Sequence, residues 1–262
     1  MTKNDIIILG SGMSILDLSA AEIEYINQCS VRIAVNKFMA FYKKVNIMPT
    51  HVYYVDAYEK SVVLFLQHIF NVCRKDKLEN LTFILGKHLN QKKVISNLLY
   101  FYLKKNYLKF KKIDNVNLFL VPKNCFFEFI SHQDWLHGNE WSHTLKQPLF
   151  HYRGSLSTVL NYVSIKYPNH PIKLVGVDFN SPDYFFQKEL EKLNFAWQDW
   201  TTPIIQKEKN HFSAIPYEGT TIFDKFEFII ENLHKSGNEI FSCNPNGLLV
   251  SKNLVKYNKI IS

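Results

Sequence analysis

The sequence predicts an α/β fold, a mostly parallel sheet flanked by helices. Three observations carry that expectation. Short continuous apolar runs recur along the chain, as in strands buried on both faces. Segments with helical spacing separate them. Polar residues or glycines stand where most of these runs stop, which is how parallel βαβ units present their strand ends.

Asp5–Leu9 reads as the first strand, closed by Gly10-Ser11-Gly12, and Ile15–Ile26 follows with helical spacing that Ser14 or Asp17 can cap. Val31–Val35 is a second strand ending on Asn36, and His51–Val55 a third ending on Asp56. Ser61–Arg74 is amphipathic, Leu81–Leu85 is a strand closed by Gly86, and Leu89–Lys112 reads as a long helix. Val116–Val121 is a further strand, ended by Pro122, whereas Asn124–Phe150 shows little periodicity and is expected as loop or short helical insertion. Arg153-Gly154-Ser155 opens a helix over Leu156–Tyr167, and Ile172–Val175 is a strand that runs into Gly176-Val177-Asp178-Phe179. From Asn180 to Pro216 the pattern dissolves among aromatic and charged residues, the mark of a lid or substrate loop. Thr220–His234 is a helix stopped near Gly237, Glu239–Cys243 a last strand, and Asn244-Pro245-Asn246-Gly247 a turn; there are no internal repeats. The expected organisation is one α/β domain from residues 1–179 and 217–262, with 180–216 as a lid inserted on the acceptor side.

The balance of 47% apolar and 21% charged residues is that of an ordinary globular chain. No apolar run is long enough to cross a bilayer and a strand pattern begins almost at once, so no signal peptide is expected. The four cysteines lie far apart without CxxC spacing and read as reduced thiols of a cytosolic protein. The net charge of +8 comes almost wholly from lysines, clustered at Lys43-Lys44, Lys87–Lys93, Lys104-Lys105 and Lys109–Lys112. Three readings stand open: a solvated helix face, attraction to an anionic membrane where Lys alternates with aromatics over Leu98–Phe110, and nucleic acid. No recognition motif supports the third.

Gly10-Ser11-Gly12 lies where a strand end meets a helix N-terminus, a place that suits phosphate. It lacks the third glycine of a dinucleotide fingerprint, because Ile15 stands there, and no P-loop lysine follows. Arg153-Gly154-Ser155 repeats the device for a second anionic group. Asn36, Asp56 and Asp178 end strands, at the edge where open α/β sheets bind ligands, although each also suits a turn or cap. His211, near the end of the expected lid, is a candidate general base. His132, His137 and His143 are spaced five and six apart, a spacing that argues against a metal site.

Taken in order, these blocks resemble the bacterial sialyltransferases of glycosyltransferase family 42, typified by the Campylobacter lipooligosaccharide enzymes. That family's G-N-G-P-S-L is matched by Gly10-Ser11-Gly12-Met13-Ser14-Ile15, and its C-N-Q-F by Val35-Asn36-Lys37-Phe38. An aromatic strand ending N-P corresponds to Tyr53-Tyr54-Val55-Asp56-Ala57, R-x-T-S-G to Arg153-Gly154-Ser155, and G-I-D-F-Y to Gly176-Val177-Asp178-Phe179-Asn180.

The resemblance implies a modified Rossmann-like domain with a lid, and inverting, metal-independent transfer of sialic acid or a related nonulosonic acid from a CMP-activated donor. It makes His211 the base and Tyr184 one of two phosphate-assisting tyrosines, with Arg153 holding the site. Gly10, Ser11, Gly12, Ser14, Asn36, Asp56, Gly154, Ser155, Asp178, Phe179 and Asn180 would bind the donor, Ser155 meeting the sugar carboxylate. The chain departs from the family at Ser11 for Asn, Asp56-Ala57 for Asn-Pro, Asn180 for the first assisting Tyr, and an insertion at Ile215–Gly219.

No cofactor is implied beyond the CMP-sugar itself. Expected partners are the donor, a glycan acceptor such as lipooligosaccharide, an anionic membrane surface and further copies of the chain, with no nucleic acid. The expected place is the cytoplasm, peripheral to the inner membrane. An Mg²⁺-dependent pyrophosphokinase or hydrolase using Asp56, Asp178 and Asp183 is the alternative, as is an inactive binding relative.

Overall fold

The computed structural model describes residues 3–55, 60–87, 122–134, 139–193 and 209–261. Among the described residues eight parallel strands form one sheet in the order β5-β4-β3-β2-β1-β6-β7-β8. They are β1 (Lys3–Leu9), β2 (Cys29–Val35), β3 (His51–Tyr54), β4 (Thr82–Gly86), β5 (Phe126–Ile130), β6 (Ile172–Val175), β7 (Ile240–Ser242) and β8 (Lys256–Tyr257). The α-helices among the described residues are α1 (Ala20–Gln28), α2 (Lys60–Lys75), α3 (Ser155–Lys166), α4 (Gln187–Leu190), α5 (Phe226–Lys235) and α6 (Leu248–Ser251). The strands grow outward from β1 in one direction as far as β5, then from β6 in the other, so the order reverses between β1 and β6.

The apolar runs follow from burial on both faces. In β1, Ile7 and Leu9 enter one core with Phe65, Ile69 and Cys73 of α2. Ile6 and Ile8 enter the other, with Val159 and Val163 of α3 and Ile229 and Leu233 of α5. One strand thus needs apolar side chains at every position, because the pleat sends neighbours to opposite layers.

Several elements differ from the sequence expectation. The helix expected over Ile15–Ile26 is two pieces, a 3-10 turn at Met13–Asp17 and α1. Ser19, rather than Ser14 or Asp17, caps α1: its hydroxyl accepts from the Glu22 amide, and the Glu22 carboxylate accepts from the Ser19 amide. Asn36 begins a 3-10 helix, Asn36–Lys44, that places Phe38, Met39 and Tyr42 in the first core. β5 lies inside the stretch expected as loop, and β8 with α6 was not expected. The helix expected over Thr220–His234 is a 3-10 turn, Ile222–Lys225, followed by α5.

Part of the segment expected as lid is packed core. Phe185, Phe186 and Leu190 are buried, Phe186 stacks on Phe41 at 4.4 Å, and Lys44 pairs with Glu189 at 2.8 Å. Residues 194–208 of that segment lie outside the described residues, as do the stretches expected as a helix over Leu89–Lys112 and a strand over Val116–Val121, His137 and Asp56. Among the described residues no helix is long and apolar enough to cross a membrane.

Candidate functional site

Gly10–Gly12, Asn36 and Asp178 follow the C-terminal ends of β1, β2 and β6, beside the reversal of strand order, where open α/β sheets take their ligands; Asp56 lies outside the described residues. The Gly10-Ser11-Gly12 turn does not leave open space there. The Gly10 amide donates to Val175 O at 2.8 Å and the Gly12 amide to Gly176 O at 2.7 Å, so the loops after β1 and β6 lie against each other. A Cβ on Gly10 would stand 2.3 Å from Gly176 O, and one on Gly12 would stand 2.3 Å from an Asp178 carboxylate oxygen. Glycine at these positions is required by loop packing.

Asp178 already fills the anion position of this turn. Its buried carboxylate accepts from the Ser14 amide at 2.9 Å, from the Ser14 hydroxyl, and from Asn244 Nδ2 at 2.8 Å. Its carbonyl accepts from the Leu248 amide. One internal carboxylate therefore joins the loops after β1, β6 and β7 and satisfies the start of the 3-10 turn, as a bound anion otherwise would. Asn180 is tied into the same corner, donating to Asn246 O at 2.9 Å. Ser11 contributes its carbonyl, which accepts from the Phe185 amide.

The second glycine device is built differently. α3 starts at Ser155, and no side chain caps its first turn. Its start is bracketed on two sides. Asn36, at the end of β2, donates to Ser155 Oγ at 3.1 Å. On the other side, Ser213 Oγ lies 2.7 Å from where a Gly154 Cβ would be, and the φ of +152° at Gly154 suits glycine alone. A helix of 12 residues with this start offers backbone N–H groups and a favourable dipole to an anion.

Ser213 belongs to the segment that carries His211. The His211 amide donates to Phe179 O at 3.0 Å, and its ring meets Phe179 edge-on at 5.6 Å and Tyr184 at 6.1 Å. His211 Nδ1 accepts from the Ser213 amide at 3.2 Å, capping the short 3-10 turn Phe212–Ala214. Burial pushes the His211 imidazole down to about 4, against the opposing pull of the Asp178 charge.

Arg153 anchors this segment from beneath. It is 1% exposed, donates to Ile215 O at 2.7 Å, and its guanidinium sits 5.5 Å from the Phe212 ring and 5.4 Å from the Tyr217 ring. These contacts hold the loop in place. The Tyr184 ring stacks on Phe186 at 5.4 Å.

Three non-glycine residues bordering the site adopt left-handed backbone: Asn36 (φ +54°), Arg153 (+56°) and Phe179 (+62°). Asn tolerates this cheaply, but for Arg and Phe it costs of order 1–3 kcal/mol each, and such strain gathers at functional sites. Sequence reasoning missed Ser213 and Asn244 as members of the cluster. Both are small polar loop residues whose contacts arise only in the fold. Among the described residues no three His, Cys, Asp or Glu side chains come together as a metal site.

No protein-family model matches the chain, and no curated protein matches it. A solved structure, that of the MAf glycosyltransferase from Magnetospirillum magneticum AMB-1, is similar at 12% identity with a TM-score of 0.47. The likeness covers 92% of this chain and 32% of that one, so the chain spans about a third of its length. At that identity and TM-score the likeness says nothing about the reaction.

Proposed function

We propose that the chain is a glycosyltransferase that takes sialic acid or a related nonulosonic acid from a CMP-activated donor and passes it to a glycan acceptor such as a lipooligosaccharide. The observation that carries this reading is the start of α3. It has no side-chain cap and is flanked by the Asn36–Ser155 pair on one side and the His211–Ser213 segment on the other. An anionic group bound to the α3 amides would thus lie beside the segment that carries His211, at the edge where such sheets bind nucleotides. The ordered blocks shared with glycosyltransferase family 42 supply the donor class. The loop after the Gly10–Gly12 turn already holds the Asp178 carboxylate, through the Ser14 amide and hydroxyl.

The resemblance makes His211 the general base. One observation favours a second reading of that residue: the Nδ1 lone pair is already committed to the Ser213 amide, so the ring presents a donor.

A thermal-shift panel of CMP, CDP, UDP, GDP and ATP, each with and without Mg²⁺, tests the reading. CMP at about a hundred times its Kd should add about 2.7 kcal/mol, a rise of roughly 5–10 °C in Tm for a chain of this size, with or without metal. A response to ATP alone, and only with Mg²⁺, would replace the transferase with a pyrophosphokinase or hydrolase.

A further inference from the structure

We infer that His211 works as a neutral hydrogen-bond donor, offering Nε2–H to an anionic oxygen of the donor substrate, and that the Ser213 amide sets it in that form. The inference rests on the reading of this edge as a donor-sugar site, but its geometry is independent of the donor's identity.

A neutral imidazole has one N–H and one lone pair. A histidine prepared as a base at Nε2 donates Nδ1–H to a carboxylate or carbonyl, which leaves the Nε2 lone pair outward. Here the polarity is reversed. The partner of Nδ1 is itself a donor, the Ser213 amide at 3.2 Å, so the lone pair points inward and the proton sits on Nε2. The nearby carboxylate does not restore the usual arrangement. Asp178 spends its oxygens on Ser14 and Asn244 and makes no hydrogen bond to the ring.

Among the described residues Nε2 has no hydrogen-bond partner of its own, and the residue keeps part of its surface exposed, which leaves the N–H to a ligand. The low basicity of the ring, down to about 4, keeps it neutral across the physiological range and makes it a poor match for a base working near pH 7. A neutral imidazole of depressed pKa is well suited to polarise an oxygen by donating a hydrogen bond, without itself gaining or losing a proton. The tight turn matters too. Because the amide that fixes the tautomer belongs to a residue packed on the α3 start, the donor N–H and the α3 amides are held on one frame.

The anionic oxygen can belong to the nucleotide phosphate or to the sugar carboxylate, and two probes separate them: CMP, which has no carboxylate, and N-acetylneuraminic acid, which has no phosphate. Binding of each is measured by titration to wild type, His211→Gln and His211→Ala, after unfolding curves show that both variants are folded. Gln keeps an N–H donor at similar reach but has no basic nitrogen. For one of the two probes the Ala variant should weaken binding about tenfold while the Gln variant stays within about threefold. Unchanged binding of both probes in both variants, or a Gln variant as impaired as the Ala variant, would overturn the inference. Imidazole ¹⁵N spectra at pH 7 provide a second readout that needs no ligand. They should show His211 protonated at Nε2, and an Nδ1–H ring would overturn the inference. Failure of wild type to bind either probe would instead count against the proposed donor class, with the ring tautomer then deciding this inference alone.

Discussion

Arg153→Ala is expected to destabilise the protein by about 3 kcal/mol and to disable the site with it. The substitution removes a side chain that is 1% exposed, leaves Ile215 O without its donor, and takes away the cation on which Phe212 and Tyr217 rest. Each loss alone is of order 1–3 kcal/mol, partly offset because a buried charge is no longer desolvated. Tm should fall by roughly 6–12 °C. The left-handed backbone at this position gives no relief, since Ala tolerates it no better. Arg153→Lys should fail to rescue, because an ammonium cannot stack between two rings as a planar guanidinium does. Donor turnover should drop about a hundredfold, because the anchored segment is the one that positions His211. Unfolding curves and turnover measured together check this. A variant of native stability and activity would show that Arg153 does not hold the loop.

The second large effect is one of pH. Burial lowers His51 to about 4, His151 to about 3 and His211 to about 4, and it also lowers His68. His151 is pressed further by His132, whose ring lies 4.4 Å away, while Asp134 opposes. In the unfolded chain each histidine titrates near 6.5. As pH falls below 6.5 the unfolded state binds protons that the native state refuses, so stability declines and keeps declining until the folded values are reached.

At pH 5 the three histidines together should cost roughly 3–6 kcal/mol relative to pH 7, allowing for water at their partly exposed edges. The carboxylates act in a lower window. Lys43 and Lys44 hold Asp76 and Glu189 below their usual values, and Lys166 with Tyr162 does the same for Glu128 against its own burial. Their contribution is present above about pH 4.5 and is lost only as pH falls further. Urea unfolding from pH 7 to 5 should therefore show a steep fall, and a flat profile would mean that these rings are not buried as described.

Much of the sheet was legible because burial on both faces leaves no room for polar residues. β1, β2, β3 and β6 read as apolar runs, and α2 and α3 as helices, within a few residues of their bounds. β5 was not, although Pro122 and Asn124 frame its start, because Glu128 interrupts the short apolar run Phe126–Ile130. β8 is two exposed residues long, too short for any period. The Ser19-to-Glu22 spacing is a capping-box pattern and was available in the sequence, but the longer helical period across Ile15–Ile26 obscured it.

The site was legible by place more than by role. Residues at strand ends were found because parallel strands bring their C-terminal ends to one edge. Which way each side chain turns depends on partners distant in sequence. Asp178 bonds to Ser14, 164 residues away, and so became the internal anion of a turn that looked open to phosphate. Phe185 and Phe186 looked like lid aromatics and proved to be core, because nothing in composition separates an aromatic that waits for substrate from one that packs on Phe38 and Phe41.

The most direct test of the central claim is release of CMP from CMP-N-acetylneuraminic acid by the purified chain in the presence of EDTA, with the uncatalysed rate subtracted. The expected result is enzymatic release without added metal, lost when Ser155 and Asn36 are both replaced by Ala. No release from this or any other CMP-activated acidic sugar, or release that the double variant retains in full, would contradict the placing of a sugar-nucleotide site at the start of α3.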